Sequence, residues 1–427
     1  MNEKLETSNP LTRTERQKEI LKKWINNRCK GTAVCCTGFG KTNTALMGCD
    51  ILNKKFPGLR IIVVVPTETL QRQWIKKLDE RGFSLQSDVI IINTLIKNNY
   101  DCDLLILDEV HRYCSELNSQ VFDRVKYKYI LGLSATMERL DGKHEILYKY
   151  CPEIDRVTEL EALANGWLAQ STEYKIILDV DDIDVYKKIT KEFNEHFEFF
   201  QFKFDLVMGM LGKDGYKNRS AYRDTLCQLN PKLDKKEVFK SITYHATAFS
   251  RCMQSRKKFI NNHPKKIELT REIIKARPFS KIITFSASID IAEQIGIGDV
   301  YSGKTSKKNS RVTLDKFITG ETRVLSTIKR CNEGLDVPGI NVAIMLGYDS
   351  SPTQYIQRKG RAIRYEGSKV SEIFTFVINN TVEMNWFDKS HADSTSIPID
   401  EENLMKVLRG EEYQLYKKPQ SKFTFRF

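Results

Sequence analysis

Short apolar runs alternate with amphipathic stretches through the first third of the chain. The runs Thr32–Cys36, Arg60–Val65, Val89–Ile92, Leu104–Leu107 and Tyr129–Leu133 are rich in Val, Ile and Leu, with no polar alternation. Such runs fit strands buried on both faces of a parallel sheet. Residues 42–55 and 68–81 have helical spacing, so βαβ units are predicted, with another helix over 13–27. The pattern returns at Lys281–Phe285, Val300–Tyr301, Arg323–Thr327, Val342–Leu346 and Ile373–Ile378, a second α/β half without sequence repetition of the first.

Between the halves the pattern changes. One strand is predicted at Tyr174–Val180, followed by long helical stretches rich in Lys and Phe. Six phenylalanines fall within Phe193–Phe204; positions 193, 197, 200 and 204 make a helical stripe, while 200, 202 and 204 alternate like a strand. Helical flanks favour the helix, and packing against a neighbouring helix is the plainer use of the stripe than base stacking. Arg251, Arg256, Lys257, Lys258, Lys265 and Lys266 form a basic run that reads equally as a solvated face or a phosphate-binding one. The expected division is 1–165 and 271–400 as two α/β domains, 166–270 as a helical insert and 401–427 as a charged tail.

Length agrees with this division, since 427 residues exceed one ordinary core. The hydrophobic fraction of 41% and charged fraction of 29% are those of a globular chain. No apolar run reaches the roughly 18 residues of a membrane span, and MNEKLETSNP lacks the apolar stretch of a signal peptide. A cytoplasmic protein without membrane contact is expected. Ten cysteines without C-x-x-C or zinc-like spacing read as reduced, structural thiols. A formal charge of +13 favours a polyanionic partner.

Three segments at strand ends carry candidate chemistry. Thr37-Gly38-Phe39-Gly40-Lys41-Thr42 lies between a strand and a helix; glycines 38 and 40 allow backbone N–H groups to approach phosphate oxygens. Lys41 would meet the β/γ-phosphates and Thr42 would offer its hydroxyl to Mg²⁺. Cys35 stands where the G-x-x-x-x-G-K-[ST] pattern has its first glycine. Asp108 and Glu109 end a buried strand, the edge where open α/β sheets bind ligands. Asp108 would hold Mg²⁺ and Glu109 polarise a water, with the phosphate loop expected one sheet position away. Ser134-Ala135-Thr136 ends another strand, where its hydroxyls could bridge to the second half.

In order, these segments resemble the motifs of superfamily 2 helicases, specifically the DExH branch. Cys36 to Thr42 resembles motif I, Asp108-Glu109-Val110-His111 motif II, and Ser134-Ala135-Thr136 motif III. Val65 to Trp74 looks like motif Ia and Ile92 to Leu95 like a further DNA-contacting segment. Glu333 to Pro338, preceded by Thr327, looks like motif V, and Gln357 to Arg364 fits Q-R-x-G-R-x-x-R of motif VI. The resemblance implies two RecA-like parallel-sheet domains flanking a nucleotide cleft, with ATP and Mg²⁺ as cofactors. It implies that Gln357, Arg361 and Arg364 act catalytically from the second half, and that Gly334 and Asp336 lie near the nucleotide. It places Gln17 as the adenine-reading residue, His111, Ser134 and Thr136 as coupling residues, and Thr67, Arg72, Asn93, Thr94 and Thr327 on nucleic-acid backbone. Lys257 and Lys258 of the basic run are added to that set.

The DExH motif, Gln73-Trp74 and the helical insert resemble DNA-directed members: UvsW-type phage branch-migration helicases, XPB-like enzymes and restriction-enzyme motor subunits. The expected activity is ATP-driven remodelling of branched DNA in replication, recombination or repair. The enzyme would act as a monomer on single-stranded and branched DNA, in the host cytoplasm if phage-encoded. An RNA helicase with the same motor, a restriction-type motor subunit and a binding scaffold with a degenerate ATPase remain alternatives.

Overall fold

The computed structural model describes residues 11–137, 142–168, 171–302, 307–328, 339–347, 371–391 and 395–417. Strands β1 (Lys30–Cys35), β2 (Ile61–Val65), β3 (Ser87–Ile91), β4 (Tyr100–Asp108), β5 (Val125–Ser134) and β6 (Glu153–Val157) form one sheet in the order β3-β2-β4-β5-β1-β6. Every pair in it is parallel, so all six strands end at one edge. All five residues of β2 are buried, which explains its unbroken Ile and Val. The helices Lys41–Lys55 and Glu68–Glu80 supply the crossovers after β1 and β2.

The second sheet contains β7 (Ser171–Leu178), β8 (Ile282–Ser286), β9 (Asp299–Tyr301), β10 (Val324–Ile328), β11 (Val342–Met345), β12 (Ser371–Ile378) and β13 (Ile397–Ile399). Its order is β13-β7-β12-β11-β8-β10-β9, again all parallel. The two-sheet α/β architecture expected from the sequence is therefore present.

The expected domain limits need correction. Strand β7 falls inside the 166–270 insert by sequence but pairs along its whole length with β12, Ser171 opposite Ser371 and Leu178 opposite Ile378. The helix Pro264–Ala276 buries Ile267, Leu269, Ile273 and Ile274 in the same core. The tail also contributes, because Glu401–Arg409 is a helix burying Leu404, Val407 and Leu408 there. What stands apart is a group of four helices, Ile183–Glu198, Phe204–Leu211, Gly215–Leu229 and Lys235–Asn261, around Phe200, Val207, Met210, Ile242 and Phe249.

The phenylalanine stripe is mostly core. Phe193 and Phe197 pack on Phe249 with ring centroids 4.6 and 5.0 Å apart. The predicted continuous helix breaks after Glu198, where Gln201 and Phe202 take left-handed φ of 54° and 57°. No helix among the described residues is long and apolar enough to cross a membrane.

Candidate nucleotide site

The site begins with the helix Arg13–Asn26, started by a capping box between Thr12 and Glu15. Arg16 fixes this helix to β6 and its following helix, through Asp155 at 2.6 Å and Glu161 at 2.8 Å. Gln17 is 2% exposed and turns toward the glycine loop. Its Nε2 donates to the carbonyls of Phe39 at 3.1 Å and Gly40 at 3.3 Å, and its Oε1 accepts from Asn43 at 2.9 Å. Both ends of the amide thus brace the loop, a role the sequence did not indicate for the residue expected to read adenine.

Gly38 and Gly40 have φ of 90° and 99°, a region that side-chain-bearing residues rarely adopt. At Gly40 a Cβ would also stand 2.7 Å from the Gln17 amide nitrogen. The departure at Cys35 is explained by burial: its side chain is 0% exposed in the sheet core, and burial pushes its thiol up to about 12. Phe39 likewise turns its ring inward, onto Trp167 with centroids 5.6 Å apart.

Three features of the loop fit a polyphosphate. The helix Lys41–Lys55 starts with no side-chain cap, leaving its first N–H groups for an anion. Lys41 Nζ donates to the Cys35 carbonyl at 3.1 Å, which holds its charge at the loop mouth. The buried Thr37 hydroxyl has no hydrogen-bond partner. Thr42 is the second residue of the same helix, where its hydroxyl could join Asp108 in holding Mg²⁺.

Asp108 and Glu109 stand at the same sheet edge. The expected one-position spacing from the loop is corrected by the strand order: β5 lies between β1 and β4, so Ser134 at its end sits between the loop and the carboxylates. Asp108 is buried; Trp74 Nε1 donates to its Oδ2 at 2.8 Å and the Glu109 amide to its Oδ1 at 3.1 Å. Tyr113 places its hydroxyl 2.9 Å from the Val64 carbonyl and 3.0 Å from that of Asp108, tying the ends of β2 and β4. Burial, with Glu109 adjacent, pushes the Asp108 carboxyl up to about 6.

If Asp108 holds Mg²⁺, a proton would compete with the metal there. The half-saturating Mg²⁺ concentration for hydrolysis is expected to rise steeply as pH falls through about 6 and to change little at alkaline pH, as read from Mg²⁺ titrations across pH. A pH-independent Mg²⁺ requirement would contradict this.

Glu109 has a left-handed φ of 53°, and its Oε2 is buried without a hydrogen-bond partner. His111 Nδ1 lies 2.8 Å from Ser134 Oγ and 3.5 Å from Glu109 Oε2. Ser134 in turn donates to the Thr136 carbonyl, which leaves its oxygen to accept from His111 and places a proton on Nδ1. Motifs II and III are therefore joined through the residues expected to couple them.

Four expected nucleic-acid contacts share this edge, beyond β2 and β3. Thr67 caps the helix Glu68–Glu80, accepting from the Leu70 amide at 3.4 Å, and the Arg72 side chain is 75% exposed. Asn93 and Thr94 are exposed on the turn after β3. Thr327 differs: it is buried in β10 and its hydroxyl donates to the Thr284 carbonyl at 2.9 Å, so here it is a sheet residue.

The basic run is also dispersed. Lys266 is fully buried against Glu383, Lys265 pairs with Glu401, and Arg256 lies over the Phe193 ring at 4.5 Å, leaving Arg251 and Lys258 exposed and Lys257 half-buried. Gly334, Asp336, Gln357, Arg361 and Arg364 lie outside the described residues.

Comparison with known proteins agrees with this layout. The helicase conserved C-terminal domain matches residues 265–366, and the Type III restriction enzyme, res subunit family matches 11–98 and 84–139. A DNA 3'-5' translocase XPB2 from Sulfurisphaera tokodaii is 30% identical over 372 residues, covering 82% of this chain and 77% of the relative. The chain belongs to the superfamily 2 helicases.

It resembles the XPB-like members of that superfamily. A putative ATP-dependent RNA helicase QP509L of African swine fever virus is 31% identical to this helicase over 160 residues, 31% of the chain and 30% of the relative. Among solved structures, Saccharomyces cerevisiae Dbp5 bound to RNA and ADP BeF3 has a TM-score of 0.56 at 14% identity, covering 92% of this chain and 91% of that one. That likeness supports the pair of RecA-like sheets. Three features not singled out from the sequence belong to the site: Tyr113, Asn43 and the donor role of Trp74. The only sequence signal for Trp74 was its place in motif Ia, because an aromatic on an amphipathic helix reads as core.

Proposed function

We propose that this helicase hydrolyses ATP with Mg²⁺ and converts the cycle into movement along DNA, remodelling branched substrates such as forks and Holliday junctions in replication, recombination or repair. The observation that carries the DNA reading is the breadth of its likeness. The DNA translocase aligns with 82% of the chain, the viral RNA helicase with 31%. The basic balance of the chain suits either nucleic acid.

In this reading the loop Thr37–Thr42 grips the phosphates, Lys41 neutralises them, and Thr42 with Asp108 would hold Mg²⁺, which would supply charge stabilisation to the transferring phosphoryl group. Glu109 orients and deprotonates the attacking water. Gly334 and Asp336 lie near the nucleotide from the second half. Gln357, Arg361 and Arg364 complete the site across the cleft, so that closure and hydrolysis become one event. Thr67, Arg72, Asn93 and Thr94 hold the strand by its backbone, which positions it without reading sequence. Lys257 and Lys258 add contacts from the four-helix insert, and the motor works as a monomer.

The 2′-hydroxyl separates the DNA reading from the RNA one. The test is the steady-state ATPase rate with no nucleic acid, single-stranded DNA, duplex, a four-way junction and RNA in parallel. Strongest stimulation by the junction is the expected result; stimulation by RNA alone would move the motor to RNA.

A further inference from the structure

A buried tryptophan needs a partner for its single N–H. Trp24 donates to the Ile130 carbonyl at 2.9 Å and Trp167 to the Leu11 carbonyl at 2.8 Å, both neutral backbone acceptors. Trp74 instead donates to a carboxylate, Asp108 Oδ2, at 2.8 Å. It is 1% exposed and sits in the main core cluster of the first half, so the indole has little freedom to turn. The Glu109 amide takes Oδ1 and the Tyr113 hydroxyl lies against the Asp108 carbonyl, so the residue is held at three points. Each carboxylate oxygen keeps a lone pair beyond its one donor.

Trp74 is carried by the helix Glu68–Glu80, the element that Thr67 caps and from which Arg72 projects into solvent. The indole enters from the buried face of the helix, while Thr67 is half-buried at its start and Arg72 is exposed. One rigid element therefore reaches both the sheet edge proposed to hold the strand and the carboxylate proposed to hold the metal.

We propose that Trp74 is a positioning residue that orients Asp108 for a divalent cation and ties that orientation to the strand-facing helix Glu68–Glu80. The idea rests on the motor reading above for its strand and its metal. It assigns Trp74 no contact with nucleotide or nucleic acid. Partners that orient a metal-holding side chain contribute about 10–100-fold to metal affinity in comparable sites.

The test titrates Mg²⁺ against binding of a fluorescent ATP analogue, without nucleic acid, in wild type, Trp74→Phe, Leu78→Ala, Asp108→Ala and the Trp74→Phe/Asp108→Ala double variant. Leu78 is a second buried residue on the same helix and controls for loosened packing. In Trp74→Phe the half-saturating Mg²⁺ should rise about 10–100-fold, with affinity in EDTA unchanged. The double variant should match Asp108→Ala, because the indole acts only through that carboxylate.

A Trp74→Phe response no larger than that of Leu78→Ala, or additive effects in the double variant, would overturn the proposal. A second readout needs no Trp74 variant. The Trp74 indole N–H resonance of ¹⁵N-tryptophan-labelled wild type should move as Mg²⁺ is added with nucleotide and stay fixed in Asp108→Ala. A resonance that ignores Mg²⁺ would count against the role.

Repeating the titration with single-stranded DNA addresses the helix. DNA should lower the half-saturating Mg²⁺ of wild type but not of Trp74→Phe, and an equal drop in both would remove the link. A wild-type ATPase that no nucleic acid stimulates would instead sink the motor reading, leaving the DNA-free titration to judge Trp74.

Discussion

Replacing Glu109 by Gln is expected to lower ATP turnover by about 10²–10⁴-fold while ATP and nucleic acid still bind. Its neighbour Asp108 has both oxygens engaged, whereas Glu109 Oε2 is buried without a hydrogen-bond partner. Leaving such an oxygen without a hydrogen bond, with His111 Nδ1 at 3.5 Å beside it, is costly, as is a non-glycine residue at φ 53°. Both costs make sense at a position kept for a reacting group. Gln is nearly isosteric and retains an acceptor, so the strand end and the Asp108 geometry should survive. What disappears is the capacity to take a proton. Single-turnover hydrolysis, set against binding of a fluorescent ATP analogue, separates the two effects. Turnover near wild type would move the base elsewhere, and loss of binding would make Glu109 a structural residue of the strand end.

Much of this architecture was legible because parallel strands buried on both faces need unbroken Val, Ile and Leu. Ile61–Val65 is the plainest case, and Leu104–Leu107 marks the core of β4. The edge strand β6 was hidden because Glu153, Asp155 and Arg156 interrupt its apolar residues, with Asp155 taking Arg16 and Lys23. Strand β7 was visible as a strand but not as part of the second sheet. Its partner β12 lies 200 residues later, Ser171 opposite Ser371, and no local pattern reports so distant a pairing. The same limit governs side-chain direction. Lys265 and Lys266 are adjacent in sequence, yet one pairs at the surface with Glu401 and the other is buried against Glu383. At the site, the motif residues on β1, β4 and β5 converge because all the strands end at one edge. The bracing by Gln17 and the Trp74–Asp108 bond depend on how helices pack on that sheet, which spacing along the chain does not encode.

The largest stability effect should follow from Glu383→Ala, at about 3–5 kcal/mol. Lys266 Nζ meets Glu383 at 2.7 and 2.9 Å, and Glu383 Oε2 also accepts from the Ile378 amide at 3.0 Å. Both side chains are essentially unexposed, which joins the helices Pro264–Ala276 and Val382–Ser390 at the end of β12. Burial pulls the Lys266 ammonium below its ordinary value, and Glu383 counters that pull. Without Glu383 the lysine must lose its proton or remain charged in the core. A lysine whose folded pKa is depressed binds fewer protons folded than unfolded, so stability rises with pH between its folded and unfolded values. The loss in Glu383→Ala should therefore be large near neutral pH and shrink toward the ordinary lysine range near 10.5. Urea midpoints across pH, with hydrogen exchange of peptides spanning 371–391, would show it; a small loss independent of pH would mean that water reaches Lys266. Replacing both partners, as Lys266→Met with Glu383→Leu, should recover most of the stability, because the penalty belongs to the stranded charge more than to the lost attraction.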